Sequence, residues 1–405
     1  MNPSSEHTPR VSTRAPWWPA RRTGRAAAGT GIALTLLAGS TYAATTLMDV
    51  PAPHDLARLQ STQPSRQGDR FPARTVTTAS TTSELPASPQ PAPRTVPWKG
   101  GSLPFEQFLE TTHTNAFVVL QDGKIAHEWY ADGVTADTRM SSWSMAKSLV
   151  SLLVGQAVQR GELSEEDRLV DLLPELRTGG AYDTVTVRHL LDMSSGIDVD
   201  ENYKPWWPFT GTARMLLTRD LPAFVRDHRS VTYTPGSQAT YRSVDTQMLG
   251  LVLSRVEGRP LAEILGERLW GPMGATRTAT WNLDRDGGTE KAFCCVNATA
   301  RDFARVGQLV LDRGRAGGRQ VIPEQWIDRL STPTLHSIDG WGYSAQWWHP
   351  TGGNGKDFSA IGVYGQYTYV DPVSRTVIVK LSDHGTQQDE QETIDALRSI
   401  AHGDA

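Results

Sequence analysis

The chain of 405 residues contains few cysteines, few lysines and no large excess of either charge. Its two cysteines, Cys294 and Cys295, are neighbours, and a bond between neighbours closes a strained ring, so we expect two partly buried thiols and no disulfide framework. No His or Cys stands at ligand spacing around them, and the sequence predicts neither a metal site nor a cofactor. A formal charge of −4 with evenly spread signs argues against a nucleic-acid partner.

The N-terminus combines a basic segment with an uncharged one. Residues 1–25 carry five Arg against one Glu, and residues 26–48 carry no charge. This order is typical of an export signal, and the uncharged stretch is also long enough to attach the protein to a membrane as an anchor. A cleaved signal and an uncleaved anchor both stay open. Either one predicts an extracytoplasmic location for the remainder of the chain, secreted or membrane-anchored.

A change in composition divides the rest of the chain into a linker and one folded domain. Nine of the 25 prolines lie between residues 51 and 98, among many Ser and Thr. Such a segment buries too little apolar surface to offset the entropy of ordering it, so we predict an extended tether over 49–98. Residues 99–405 have a globular composition and are predicted to form the domain.

Within this domain, strand patterns stand near both ends and helical patterns lie between them. "NAFVVLQDGKIAHEWYADG" (115–133) and "YGQYTYVDPVSRTVIVKLSD" (364–383) each predict two strands joined by a turn. "AKSLVSLLVGQAVQRG" (146–161) predicts a strongly apolar helix. The sequence therefore predicts an α+β fold, with an antiparallel sheet built from both termini, flanked by helices, and an inserted, mostly helical domain.

Ser144 and Lys147, in "SSWSMAKS", form the one S-x-x-K match in the chain. On a helix they share one face with apolar residues, where desolvation lowers the proton affinity of a lysine and favours its action as a base. The alternative is that Ser144 caps the helix while Lys147 extends to solvent. The spacing alone leaves both open.

Two further motifs follow in the sequence. "YTPGSQATYRS" (233–243) contains Tyr241, whose hydroxyl could pass a proton if it lay beside a lysine, and Ser243. "AIGVYGQYTYVDP" (360–372) is a Gly-rich start of a strand, where backbone often approaches a ligand closely. Neither motif identifies a site by itself.

Taken together and in this order, the three motifs resemble those of the penicillin-recognising serine hydrolases, which include class C β-lactamases, D,D-peptidases and related esterases. The pattern is most similar to the nylon-oligomer (6-aminohexanoate-dimer) hydrolase branch, and it extends over roughly residues 100–400, with "VRHLLDMSSGID", "NATARDFARVGQLVLDRG" and "GWGYSAQWW" as further matching segments. The resemblance implies a β-lactamase-like fold and an exported enzyme that cleaves an ester or amide of a small molecule.

The resemblance also implies a role for each matching residue. Ser144 would be the nucleophile, Lys147 its general base, and Tyr241 the group that passes the proton to the leaving group, with Ser243 beside them in the substrate site. The backbone N–H groups of Ser144 and Val363 would form the oxyanion hole.

One position departs from the family pattern. The superfamily's K-T-G motif aligns with Ala360-Ile361-Gly362, so the lysine that helps to hold a substrate carboxylate is Ala360 here. This favours an uncharged or differently anchored ester or amide. A β-lactamase or D,D-carboxypeptidase, and a non-catalytic ligand-binding module, stay as alternatives.

The remaining residues that the resemblance places at the substrate are four: Tyr203, Trp347, Gly362 and Tyr364. Tyr203, in "DENYKPWW" (200–207), matches a loop that covers the substrate in the nylon-oligomer branch, with an exposed loop tyrosine as the alternative. Trp347 and its neighbour Trp348 are candidates for lining the acyl or amine pocket, with burial in the core as the alternative. The oligomeric state and the physiological substrate are not predicted.

Overall fold

The computed structural model describes residues 41–80, 82, 84–202, 209–385 and 389–403. The strands are β1 Ala73–Val76, β2 Thr95–Trp98, β3 Gly101–Pro104, β4 Thr114–Gln121, β5 Lys124–Tyr130, β6 Met140–Ser141, β7 Ala279–Asn282, β8 Val296–Ala298, β9 Arg315–Ala316, β10 Arg319–Gln320, β11 Ser337–Ile338, β12 Trp341–Ser344, β13 Trp347–His349, β14 Phe358–Gly362, β15 Gln366–Asp371 and β16 Thr376–Ser382. The α-helices are α1 Pro53–Gln60, α2 Phe105–Thr111, α3 Met145–Gln159, α4 Leu169–Leu172, α5 Val187–Leu191, α6 Gly211–Leu217, α7 Leu221–Asp227, α8 Ser243–Glu257, α9 Leu261–Leu265, α10 Ala300–Leu311, α11 Glu324–Leu330 and α12 Glu390–His402. Short 3₁₀ segments occupy Pro64–Arg70, Pro174–Leu176 and Ala181–Thr184, and a π-helical turn occupies Gly266–Trp270.

The central element is an antiparallel sheet of eight strands in the order β11-β12-β13-β14-β15-β16-β4-β5. Strand β16 pairs with β4, so the C-terminal hairpin joins the N-terminal hairpin in one sheet. Both hairpin turns fall where the sequence places them, and Asp122 and Gly123 take the left-handed backbone conformation that a tight hairpin needs. The predicted sheet from both termini is confirmed.

Helices cover both faces of this sheet. Side chains of β16 alternate, with Val377 and Val379 in one apolar core and Ile378 in the other. Helices α3 and α10 pack on the first face, and α2 and α12 pack on the second. The β-rich terminal parts therefore form a three-layer body with the sheet in its centre.

Between β6 and β7 the chain is mostly helical, as predicted, and α3 is its central helix. Nearly every side chain of α3 is buried, because α8 and α9 contact it on one side and the sheet lies on the other. Gly155 lies against the Trp326 indole, where a Cβ atom would stand 2.3 Å from the ring. This tight packing fixes the helix whose first turn carries "SMAK".

The described part of the Pro-rich segment 49–98 folds onto the domain, so the prediction of an extended tether there is wrong. Helix α1 lies in it, β1 pairs with β7, and β2 pairs with β3 across the predicted boundary. Ile125 N–H donates to the Pro86 carbonyl, and Val76 and Val96 are buried. A Pro-rich chain offers carbonyl acceptors to a sheet edge, and a few apolar side chains are enough to hold it there.

The predicted signal or anchor over 26–48 lies outside the described residues up to residue 40. Residues 41–47 are helical. In the part of the chain that the structure describes, no helix has the length and apolar character needed to cross a bilayer.

Candidate active site

A small sheet positions Ser144. Strand β6 pairs with β8, and the next residue, Ser142, continues the contact: its N–H donates to the Val296 carbonyl at 2.8 Å, and its Oγ accepts from the Val296 N–H at 3.1 Å. Trp143 then takes a left-handed conformation with φ of 47°, held by its indole N–H on the Pro64 carbonyl at 3.1 Å. The chain turns sharply into α3, and Ser144 stands at the start of that helix with no side-chain capping bond.

Lys147 lies one helical turn later and points inward. Its Nζ is 2.8 Å from Ser144 Oγ, 3.0 Å from Ser243 Oγ and 2.9 Å from the Phe293 carbonyl. Only 1% of the residue is exposed, and this burial lowers its pKa to about 8, against the opposing charges of Glu201 and Asp245. The alternative in which Ser144 caps the helix and Lys147 extends to solvent is therefore not what the structure has.

Tyr241 faces the same pair from the residues that precede α8. Lys147 Nζ lies 5.0 Å from the centre of its ring, and its hydroxyl lies close to the Ser144 side chain. Burial, together with the negative Glu201, raises the pKa of Tyr241 well above its usual value, so the phenol is protonated at neutral pH. Ser144, Lys147 and Tyr241 thus meet, although almost 100 residues separate the first from the last.

A carboxylate that the sequence reasoning missed lies behind Ser243. Glu201 accepts from the Ser243 N–H at 2.8 Å and from its Oγ at 2.6 Å, and Thr212 Oγ1 donates to it at 2.8 Å. Because Ser243 Oγ gives its proton to Glu201, its lone pairs face Lys147 Nζ. Glu201 stands in the "DENYKPWW" segment, two residues before Tyr203. The motif therefore contained the carboxylate, but the prediction from this motif concerned only the tyrosine.

The end of β14 reaches Ser144 through Gly362. A Cβ atom at this glycine would lie 2.5 Å from the Ser142 carbonyl and 3.0 Å from the Ser144 nitrogen. Only a residue without a side chain allows this approach, which brings the following residue, Val363, to the start of α3. Steric exclusion of a side chain therefore explains the glycine at position 362 of the Gly-rich motif.

A buried glutamine, also missed from the sequence, holds the turn after Gly362. The Nε2 of Gln366 donates to the carbonyls of Val363 at 3.4 Å, Tyr364 at 3.0 Å and Ser382 at 2.7 Å, and its Oε1 accepts from the Ser382 N–H at 3.2 Å. Gln366 is fully buried. Its side chain thus ties the turn that follows Val363 to β16.

The structure places some of the predicted substrate-binding residues near Ser144 and one of them in the core. Tyr364 is partly exposed, and its ring contacts that of Trp143, beside Ser144, at 5.0 Å. Trp347 is fully buried against Phe358 in the core, so its placement in the substrate pocket is wrong. Alternate residues of a strand face opposite sides, and its neighbour Trp348 stacks on Tyr241 at 5.3 Å instead. Tyr203 lies outside the described residues.

The two cysteines also differ from the prediction, because the structure joins Cys294 and Cys295 in a disulfide and buries both. Cys295 has a left-handed backbone with φ of 71° at this point, and the pair lies between Phe293 and β8.

As for metals, no group of three or more His, Cys, Asp or Glu side chains that could hold an ion occurs within the described ranges.

Comparison with known proteins identifies the class. The Beta-lactamase family model matches residues 105–402, and the chain belongs to this family. The 6-aminohexanoate-dimer hydrolase of Paenarthrobacter ureafaciens is 33% identical over 300 residues, which cover 68% of this chain and 74% of the relative. Penicillin-binding protein 4 of Amycolatopsis lactamdurans is 26% identical over 64% of this chain and 76% of its own length.

A solved structure supports the fold. A Bacillus anthracis protein named as a 6-aminohexanoate-dimer hydrolase superposes with a TM-score of 0.76 at 23% identity, over 85% of this chain and 94% of its own. The predicted family and the β-lactamase-like fold are thus confirmed. The protein is an enzyme, a serine hydrolase of the β-lactamase family.

Proposed function

We propose that this enzyme cleaves an ester or amide of a small molecule through an acyl-enzyme on Ser144. The observation that carries the proposal is the contact of the buried Lys147 Nζ with Ser144 Oγ at 2.8 Å. With its pKa lowered to about 8, Lys147 is neutral in a useful fraction of molecules near neutral pH. It takes the Ser144 proton while Oγ attacks the carbonyl carbon, and a tetrahedral intermediate forms.

Tyr241 then carries a proton to the leaving group. Its hydroxyl lies close to Ser144 and its ring faces Lys147, so the phenol can donate to the departing alcohol or amine while Lys147 returns the proton to it. The leaving group departs and Ser144 keeps the acyl group. Water enters by the reverse route: Tyr241 and Lys147 remove its proton, and Ser144 Oγ recovers one when the acid departs.

The oxyanion of each intermediate is assigned to the backbone N–H groups of Ser144 and Val363. Gly362 lets β14 come within contact of Ser144, and Gln366 holds the turn that carries the Val363 N–H by donating to the carbonyls of Val363 and Tyr364. Backbone donors held in this way need no reorganisation when charge develops, and the loss of one such donor costs about 2.7–4 kcal/mol in enzymes where it has been measured.

For the substrate, we infer an acyl compound that is not held by a lysine at position 360. Ala360 is buried on β14, and Trp348, Tyr364 and Trp143 present aromatic rings near Ser144. Relatives are named as a 6-aminohexanoate-dimer hydrolase and as an esterase, which supports an amide or an ester as substrate. The names of penicillin-binding and carboxypeptidase relatives support a β-lactam or D-alanyl peptide as the second candidate.

We also propose that the enzyme acts outside the cytoplasm, because of the basic residues 1–25 and the uncharged residues 26–48. Fractionation of cells expressing the full chain tests this proposal, with the N-terminal sequence of the product distinguishing a cleaved signal from an anchor. Recovery of all activity in the cytoplasm would contradict it.

The central experiment compares wild type with Ser144→Ala on p-nitrophenyl esters, 6-aminohexanoate dimers and nitrocefin. Ser148→Ala is the matched control, since Ser148 lies on the same helix but donates to the Gln346 carbonyl instead of contacting Lys147. We expect Ser144→Ala to lose all turnover and Ser148→Ala to retain it. Turnover that survives in Ser144→Ala would refute the mechanism, and nitrocefin turnover as fast as ester turnover would favour the second candidate.

A further inference from the structure

The disulfide between Cys294 and Cys295 lies between two residues, Phe293 and Val296, that contact the active site. On its N-terminal side, the carbonyl of Phe293 accepts from Lys147 Nζ at 2.9 Å. On its C-terminal side, β8 begins at Val296, which exchanges two hydrogen bonds with Ser142 just before the nucleophile. One short segment therefore contacts both the base and the turn that carries Ser144.

The backbone of this segment is held in an unusual conformation. Cys295 has φ of 71°, a region that residues with a Cβ atom rarely adopt. The Trp281 indole donates to the Cys294 carbonyl at 3.1 Å, and the Asn282 N–H donates to the Cys295 carbonyl at 3.1 Å. A bond between adjacent side chains closes a ring of eight atoms through the peptide link, and such a ring restricts the backbone torsions of both residues.

We propose that the Cys294–Cys295 disulfide is a positioning device for the base: it holds the backbone so that the Phe293 carbonyl points at Lys147 Nζ. The inference rests on the proposed function. The inference adds to the proposed function that the rate of acylation depends on the covalent state of Cys294 and Cys295, which must be oxidised.

The physical reason lies in the change of charge at Lys147 during the reaction. An ammonium group has three donors, and three acceptors surround Nζ: Ser144 Oγ, Ser243 Oγ and the Phe293 carbonyl. When Lys147 takes the proton of Ser144, the carbonyl stabilises the ammonium more than the neutral amine. Displacement of Phe293 therefore slows acylation and also lowers the proton affinity of Lys147.

Reduction is the first test. Dithiothreitol breaks the sulfur–sulfur bond; each cysteine sulfur gains a proton, and the reagent's two thiols are oxidised to its cyclic disulfide. Without reductant, we expect iodoacetamide under denaturing conditions to label neither cysteine, and after reduction to label both. Two labelled thiols in the unreduced protein, purified under oxidising conditions, would overturn the proposal.

Two double variants separate the disulfide from the backbone conformation. In Cys294→Ser/Cys295→Ser no bond forms and residue 295 still carries a Cβ atom, whereas Cys294→Ser/Cys295→Gly takes positive φ freely. We expect kcat on a p-nitrophenyl ester to fall about tenfold in the first variant, which corresponds to about 1.4 kcal/mol, with little change in KM, and to recover in the second. The first variant also contains no cysteine, so its rate is the control for any other effect of reductant.

The pH profile provides a readout that a purely structural role would not move. Lys147 is surrounded by Glu201, Asp245 and Tyr241, all of which the variants leave in place. The acid limb of kcat/KM should move to lower pH in the Ser/Ser variant, because an acceptor that favours the ammonium is lost. An unchanged rate and limb in that folded variant would refute the inference, while the loss of activity in Ser144→Ala would still support the proposed function. If the Ser/Ser variant does not fold, the reduced wild type and the Ser/Gly variant supply the same comparison.

Discussion

Replacing Glu201 by Gln removes a negative charge beside Lys147 and keeps the shape of the side chain. Glu201 Oε1 is 2.6 Å from Ser243 Oγ, which is 3.0 Å from Lys147 Nζ, so the two charges lie within about 6 Å of each other. At that distance opposite unit charges attract by about 3 kcal/mol for an effective dielectric constant of about 20. The same energy corresponds to about two units of pKa.

The direction of the change follows from the role proposed for Lys147. Only the neutral amine accepts a proton, so kcat/KM rises with pH through the pKa of Lys147, which lies at about 8 in the wild type. The Glu201 carboxylate favours the ammonium and holds this pKa up against desolvation. In Glu201→Gln the acid limb should therefore move to lower pH by about one to two units, while the plateau falls because Ser243 loses its charged acceptor.

The assay is the pH dependence of kcat/KM on a neutral p-nitrophenyl ester, whose own charge does not change with pH. Thr212→Val is the matched control, since it removes a hydrogen bond to the same carboxylate and leaves the charge in place. An acid limb at the same pH in Glu201→Gln and wild type would refute the reasoning, because the titrating group would then not be an amine coupled to Glu201.

Four further substitutions test the rest of the site. Gly362→Ala places a Cβ atom 2.5 Å from the Ser142 carbonyl, so kcat should fall at least tenfold, about 1.4 kcal/mol, with the fold retained by circular dichroism. Gln366→Glu sets a carboxylate against three carbonyls and should weaken binding of a boronate analogue of the intermediate more than it raises KM; equal effects on both would contradict an oxyanion role for this turn. Trp348→Ala should raise KM with a small loss of stability, whereas Trp347→Ala should lower the free energy of unfolding by about 3–5 kcal/mol in urea titrations, and the reverse pattern would contradict their assignment to pocket and core.

Local signals in the sequence predicted much of the fold. The turns at "QDGK" and "DPVSR" and the apolar run after Lys147 are properties of a few neighbouring residues, and they predicted two hairpins and a buried helix that the structure contains. The prediction for the Pro-rich segment was wrong because it also used only local properties of the sequence. Composition reports how little apolar surface a segment carries, but it does not report that the edge of a domain will pair with the segment and bury a few of its valines.

By itself, the sequence determined the family, the α+β fold and the meeting of Lys147 and Tyr241 with Ser144, because the three motifs follow one another in the order typical of the family. Only the tertiary structure decided that Lys147 is buried with three acceptors, that Glu201 stands behind Ser243, and that Trp348 faces the site in place of Trp347. It also decided that Cys294 and Cys295 are bonded next to the carbonyl that Lys147 contacts. These are relations between segments far apart in the chain, and they depend on strand register and close packing, which no local pattern of residues encodes.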